Sequence, residues 1–241
     1  MTATWWGIVL IGLVAAAVIA ASGYLGLAAV TWWRFGARPK TDGRGHDHLL
    51  DRFIPAFDVV ERHHIRVGAP APVTFAAARA QDLLRVPLVR LIIRARELAM
   101  GAHPDGAEQP HGLLAATLAM GWGQLAEIPD HEVVVGAVTQ PWEPNVTFRA
   151  VPPSRFDAFV EPGFVKIVWT LRADPTPDGG SVFRTETRAV ATDAAARARF
   201  RRYWAFASPG IALIRWLSLL PLKRDAERRA DLARAGAGAH A

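Results

Sequence analysis

The sequence predicts an α+β protein in which one long apolar helix precedes a single domain, an antiparallel sheet followed by a long terminal helix. Three observations carry that expectation. An uncharged run of 29 residues fills positions 5–33. Two stretches of alternating apolar and polar residues are each split by a short turn signal, the pattern of β-hairpins. The last apolar segment keeps helical spacing, with Phe200, Trp204, Ala207, Ile211, Ile214 and Leu217 on one stripe.

A bilayer span needs about 20 apolar residues. At about 1.5 Å per residue the N-terminal run extends roughly 43 Å, close to a bilayer with its headgroup zones. Trp5 and Trp6 stand at one end, Trp32 and Trp33 at the other. An indole, apolar with one polar N–H, suits both interfaces. The run therefore reads as a transmembrane helix over 5–33. The competing reading is a cleaved signal peptide, which needs a basic leading segment and a shorter apolar core. Residues 1–4 carry no basic side chain, although Ala20, Ala21 and Ser22 have the small size of a cleavage site. Arg34, Arg38, Lys40 and Arg44 follow the run and no basic residue precedes it. Basic flanks stay on the cytoplasmic side. The expectation is a single-pass protein of the cell membrane, with its N-terminus outside and its domain in the cytoplasm.

Apolar residues make up 51% of the chain and charged residues 21%, which excludes a disordered protein. Roughly 180 residues remain beyond the anchor and a tether, enough for one domain with a core. The chain has no cysteine, so disulfides, thiol catalysis and cysteine-held zinc or iron–sulfur centres are excluded. The net charge of +6, mostly arginine, is compatible with anionic lipid, with nucleic acid, or with no specific partner.

Residues 34–57 read as a tether, broken by Gly36, Pro39, Gly43 and Gly45. A strand is expected from Val60 to Val67, and a helix opened by Pro72 and running to Asp82. Pro87 opens a second helix with Leu88, Leu91, Ile92 and Ala95 on one stripe. After a loop over 101–112, strands over 122–128 and 132–139 turn at Pro129-Asp130. Residues 145–151 are a third strand candidate, and Ser154 a cap for a short turn pairing Phe156 with Phe159. Strands over 163–173 and 181–191 form a second hairpin across Asp178-Gly179-Gly180. On its second strand Arg184, Glu186 and Arg188 share a face that reads as wet, and Phe183, Thr185, Thr187 and Ala189 one that reads as covered. Thr192 or Asp193 caps the terminal helix, which Pro209-Gly210 should kink or break. The domain spans 58–225, and 226–241 reads as a flexible tail.

The order strand, two helices, antiparallel strands, terminal helix resembles the helix-grip fold of the START-like superfamily, also called SRPBCC or polyketide cyclase/dehydrase-like. Two stretches carry the likeness: Glu61-Arg-His-His-Ile-Arg-Val-Gly-Ala-Pro-Ala-Pro-Val-Thr-Phe as the opening strand and helix, and Arg184-Thr-Glu-Thr-Arg-Ala-Val-Ala-Thr-Asp as the last strand entering the closing helix. The resemblance covers 58 to about 225 and is to a membrane-tethered branch. It has six strands where the family usually has seven, and Leu113–Met120 is where the seventh is expected. It implies a curved sheet around the terminal helix with a cavity between them. Family members bind lipids, sterols, polyketides and other apolar molecules, and some are enzymes.

That resemblance names Trp122, Trp169, Phe183, Thr185, Thr187, Trp204, Ala207 and Ile211 as pocket candidates, against the plainer reading that they fill a closed core. Glu61 and His63 alternate along one strand and suit acid–base work, or form a satisfied pair at a strand end. Arg34, Arg38, Lys40, Lys223 and Arg224 are candidates for contact with an anionic membrane surface. The wider basic set Arg197, Arg199, Arg201, Arg202, Arg215, Arg228 and Arg229 otherwise reads as a solvated helix face. His46-Asp47-His48 and His63-His64 lack the spacing of a zinc site, and no metal or other cofactor is expected. Gly121-Trp-Gly123-Gln-Leu-Ala126 fits a dinucleotide pattern without the strand before it and helix after it that the pattern needs. Asn145-Val-Thr147 is a sequon with no use in the cytoplasm. No nucleic-acid motif is present. The expected function is a membrane-anchored domain holding a hydrophobic small molecule or lipid. The alternatives are an enzyme of cyclase or hydrolase type on the same fold, and a tethered scaffold.

Overall fold

Segments rich in valine and aromatic residues pair into one six-stranded antiparallel sheet in this computed structural model, which describes residues 2–36, 47–83, 86–102 and 110–238. The strands are β1 (Val59–Val67), β2 (Gly123–Ile128), β3 (Glu132–Thr139), β4 (Phe148–Arg149), β5 (Val165–Pro175) and β6 (Ser181–Ala191). Their spatial order is β1-β6-β5-β3-β2, and β4 pairs with the end of β3. The helices are α1 (Thr2–Arg34), α2 (His48–Asp51), α3 (Ala71–Ala80), α4 (Pro87–Met100), α5 (Leu113–Ala119), α6 (Pro153–Phe156) and α7 (Ala194–Gly238).

Local chemistry accounts for the element ends. The β2–β3 turn places Asp130 at φ 58, a left-handed conformation that aspartate tolerates. Prolines stand in the first turns of α3 and α4, and Gly101 at φ 64 closes α4. Asp193 caps α7: its Oδ1 accepts from the backbone N–H of Ala195 (2.7 Å) and Ala196 (2.9 Å). These donors, with that of Gly163, hold the Asp193 carboxyl below its ordinary pKa.

Both faces of the sheet are covered. Successive β3 residues point to opposite sides, and all eight are buried. On one side α3 and α7 bring Phe75, Leu219 and Leu222 against Val133, Val135, Trp169, Leu171 and Phe183. On the other side Leu50, Phe53, Ile54 and Phe156 meet Leu125, Val134 and Val168.

That second layer corrects the tether reading. From Asp47 onward the segment is core, because Leu50, Phe53 and Ile54 have an apolar sheet face to cover. Asp47 starts α2 by accepting from the backbone N–H of Leu49 and Leu50, each 3.0 Å. It also corrects the wet face of β6, since Glu186 and Arg188 are buried beneath this segment. Arg188 pairs with Asp51 (2.6 Å) and Glu186 (2.7 Å) and donates to the Ile54 carbonyl (2.9 Å).

Smaller differences follow from packing. Leu113–Ala119 is a helix, not a strand. Only Phe148 and Arg149 of the 145–151 candidate join the sheet. Pro152, not Ser154, holds the cap position of α6. Phe156 packs edge-on against Phe53 and Phe159 against Phe164, rather than on each other. α7 runs unbroken through Pro209 and Pro221, and Ala226 and Ala230 belong to the core, so the chain beyond 226 begins as packed helix. Each proline deprives one carbonyl of its helical donor. The next carbonyl after each finds a side chain: Tyr24 Oη donates to Phe206 and Gln81 Nε2 to Ser218 (2.7 Å).

Candidate functional site

β6 turns Thr185 and Thr187 toward α7, and there they meet Arg215. Its Nη1 donates to Thr185 Oγ1 and its Nη2 to Thr187 Oγ1, each at 2.8 Å, and its guanidinium carbon lies 5.4 Å from the centre of the Trp169 ring. Arg215 is thus not on a solvated helix face. Burial lowers its pKa from the ordinary arginine value, and the Glu61 carboxylate opposes that shift. Trp122 packs on Phe148 at 4.9 Å and on Trp169 at 6.4 Å between ring centres. Trp122, Trp169 and Phe183 fill the core, and the two threonines hold Arg215. The space that the resemblance implied between sheet and helix is occupied at this level by the protein's own side chains.

Glu61 and His63 lie on the same face, opposite Thr187 and Thr185 in the β1–β6 register. His63 Nε2 and Glu61 Oε2 are 3.9 Å apart, ion-pair range but longer than a hydrogen bond. Glu61 Oε2 is buried without a hydrogen-bond partner. Glu61 also borders a pocket of about 550 Å³ between α1, β1 and α7, together with Trp204, Ser208, Asp58 and Arg34.

Ala207 and Ile211 line a different and larger space, an apolar groove of about 990 Å³ between α1, α4 and α7. Tyr24 and Leu27 form the α1 wall, Ile92, Ile93 and Ala99 the α4 wall, and Tyr203, Phe206 and Ile214 the rest of the α7 wall. Polar contacts seat α1 there. Besides Tyr24 on Phe206, Ser208 Oγ donates to Thr31 Oγ1 (3.2 Å) and Arg201 Nη2 to the Trp32 carbonyl (3.0 Å). The Arg201 guanidinium stands 4.2 Å from the Trp32 ring centre. Sequence reasoning missed the α1 and α4 walls. Part of the α4 signal was present in its sequence stripe, since Ile92 and Ala95 both line the groove.

The basic candidates divide. Arg34 is exposed at the end of α1, and Arg224 is exposed on α7. Arg38 and Lys40 lie outside the described residues. Lys223 is spent within the domain: its Nζ donates to the Arg66 carbonyl (3.1 Å) and to Glu227 Oε1 (2.5 Å), and Glu227 accepts from the Gly68 N–H (2.8 Å). His46 also lies outside the described residues, and among those described no three metal-ligating side chains converge. Gly121 of the dinucleotide-like pattern has a packing cause: at φ 98 it turns from α5 into β2, where a Cβ would collide with the Phe148 carbonyl.

No protein-family model and no curated protein matches the sequence. Among solved structures the chain is similar to protein CV1439 from Chromobacterium violaceum, at 15% identity over 64% of this chain and 96% of that one, with a TM-score of 0.26. It is also similar to Ara h 8.0201, at 10% identity over 65% of this chain and 97% of that one, with a TM-score of 0.19. At these scores neither likeness carries a family or an activity, and the α+β architecture rests on the pairing and packing of the chain itself.

Proposed function

We propose that this chain is a membrane-tethered START-like domain that holds an apolar small molecule or lipid, and that the binding surface is the groove between α1, α4 and α7. The groove is the observation that carries the reading: about 990 Å³, walled mostly by aliphatic and aromatic side chains. Spaces of this size and character suit drug-sized or lipid-like ligands. The element order, with β6 running directly into the closing helix α7, supports the helix-grip part of the reading.

The tether is α1, which is long and apolar enough to cross a membrane. Its described side chains over residues 5–23 are all exposed, a length of about 28 Å at the usual helical rise and so near the hydrocarbon thickness of a bilayer. Residues 24–35 then turn to α7. With Arg34 at its inner end, α1 enters the membrane with its N-terminus outside and the domain in the cytoplasm. Protease added to sealed cells should leave the domain intact, and digestion from outside overturns the orientation.

The ligand reading is tested on the full chain, extracted in mild detergent and analysed by lipid mass spectrometry. A stoichiometric apolar molecule is expected, and Ala207→Trp, which fills the groove, should remove it. A preparation carrying no apolar molecule, with a variant indistinguishable from it, overturns the reading. One observation favours an enzyme instead, the unpartnered Glu61 oxygen beside His63 on the wall of the second pocket. That reading requires Glu61→Gln to abolish turnover while leaving the copurifying molecule in place.

A further inference from the structure

The apolar groove carries positive charge. Arg96 of α4 and Arg199 and Arg202 of α7 all line it. Arg199 and Arg202 are exposed, and among the described residues none of the three forms an ion pair. Trp142 also lines the groove, with its indole N–H buried away from the open space.

We infer that the ligand of this groove is an anionic amphiphile, with its hydrocarbon chain between α4 and α7 and its phosphate or carboxylate head on Arg199 and Arg202. The inference rests on the groove-binding reading and adds the chemical class of the ligand. Arginine presents a planar fork of donors that matches either oxyanion, and such charge-assisted bonds are about twice as strong as neutral ones. A neutral hydrocarbon would make no use of these donors.

The bilayer is the source. One wall of the groove is α1 itself, through Tyr24 and Leu27, the part of the helix next to its membrane-length exposed stretch. A lipid leaving the leaflet beside α1 therefore meets the groove before it meets bulk water. Arg199 and Arg202 flank Arg201, which donates to the Trp32 carbonyl of α1, so they lie on the stretch of α7 that meets α1. Arg224 lies about 37 Å beyond Arg199 along α7 at the usual helical rise.

The test uses the full chain in nonionic detergent, titrated with three fluorescent probes sharing one labelled acyl chain: a phosphatidic acid, a free fatty acid and a diacylglycerol. Both anionic probes should bind at least about tenfold more tightly than the diacylglycerol, the discrimination expected of one charged hydrogen bond. Tighter binding of the phosphatidic acid assigns the head to a phospholipid, and tighter binding of the fatty acid to a free carboxylate. The double variant Arg199→Gln, Arg202→Gln should weaken the anionic probes about tenfold or more and leave the diacylglycerol unchanged. Equal binding of all three probes, or an arginine variant that moves all three alike, overturns the anionic head while leaving the apolar groove standing. Failure of every probe, with Ala207→Trp making no difference, overturns both.

Discussion

Arg188 and Asp51 meet at 2.6 Å on the sheet face away from α7, joining β6 to the segment that precedes β1. The arginine also pairs with Glu186, which Arg62 grips with a second guanidinium at 2.8 Å. Breaking a buried ion pair by removing one partner typically costs about 3–5 kcal/mol, because the other charge is left uncompensated. Arg188→Ala should therefore lower the unfolding free energy by an amount in that range, read from denaturant unfolding, and Arg188→Met by less, since it keeps the packing against Phe57. A loss within experimental error for Arg188→Ala would mean that the network contributes nothing to holding the 47–57 segment down.

Glu132 opens β3 beside Asp47. Burial first, then the hydrogen bond and charge of Asp47, push its carboxyl up to about 8, against the opposing pull of Arg172. A raised carboxyl binds its proton more tightly folded than unfolded. Its contribution to stability is thus complete below its ordinary value of 4.5 and is lost as pH rises through about 8. Glu132→Gln mimics the protonated form. The variant should gain on the natural protein as pH is raised across that window, read by thermal unfolding. A difference between the two that stays constant with pH removes the argument.

Gly136 lies in the middle of β3 under Leu125 and Phe156. A Cβ at this position would stand 2.5 Å from Leu125 Cδ1 and 2.9 Å from Phe156 Cε2. Overpacking of this kind costs about 1–3 kcal/mol. Gly136→Ala should be destabilised accordingly, and adding Leu125→Ala should return part of the loss in a double-mutant comparison. Independent, additive losses would show that the two sites do not crowd each other.

Arg215 is another arginine whose partners are inside the domain. Arg215→Ala strips the donor from Thr185 and Thr187, and leaving buried polar groups unpaired costs about 1–3 kcal/mol each. Arg215→Ala with Thr185→Val and Thr187→Val should recover much of that loss, because the orphaned hydroxyls are gone as well. If the triple variant is no more stable than the single one, the threonines are not what Arg215 serves.

The sequence by itself determined most of the elements, though not α2 or α5. Uncharged length and tryptophan pairs marked α1, proline and glycine marked the helix ends and hairpins, and two-residue alternation marked β5 and β6, because each of these signals acts within a few residues of chain. The local patterns left open what lies against each face. Alternation showed that Glu186 and Arg188 share a side of β6, but only the tertiary structure shows that side covered, because the covering Leu50, Phe53 and Ile54 come from more than a hundred residues earlier. The threonines of the covered face were legible as an anomaly, and their partner Arg215 was not, since an arginine on a helix reads as solvated until a neighbour buries it. The groove depends on tertiary structure most of all. Its walls come from three helices far apart in the chain, and no periodicity along one helix records which other helix it will face.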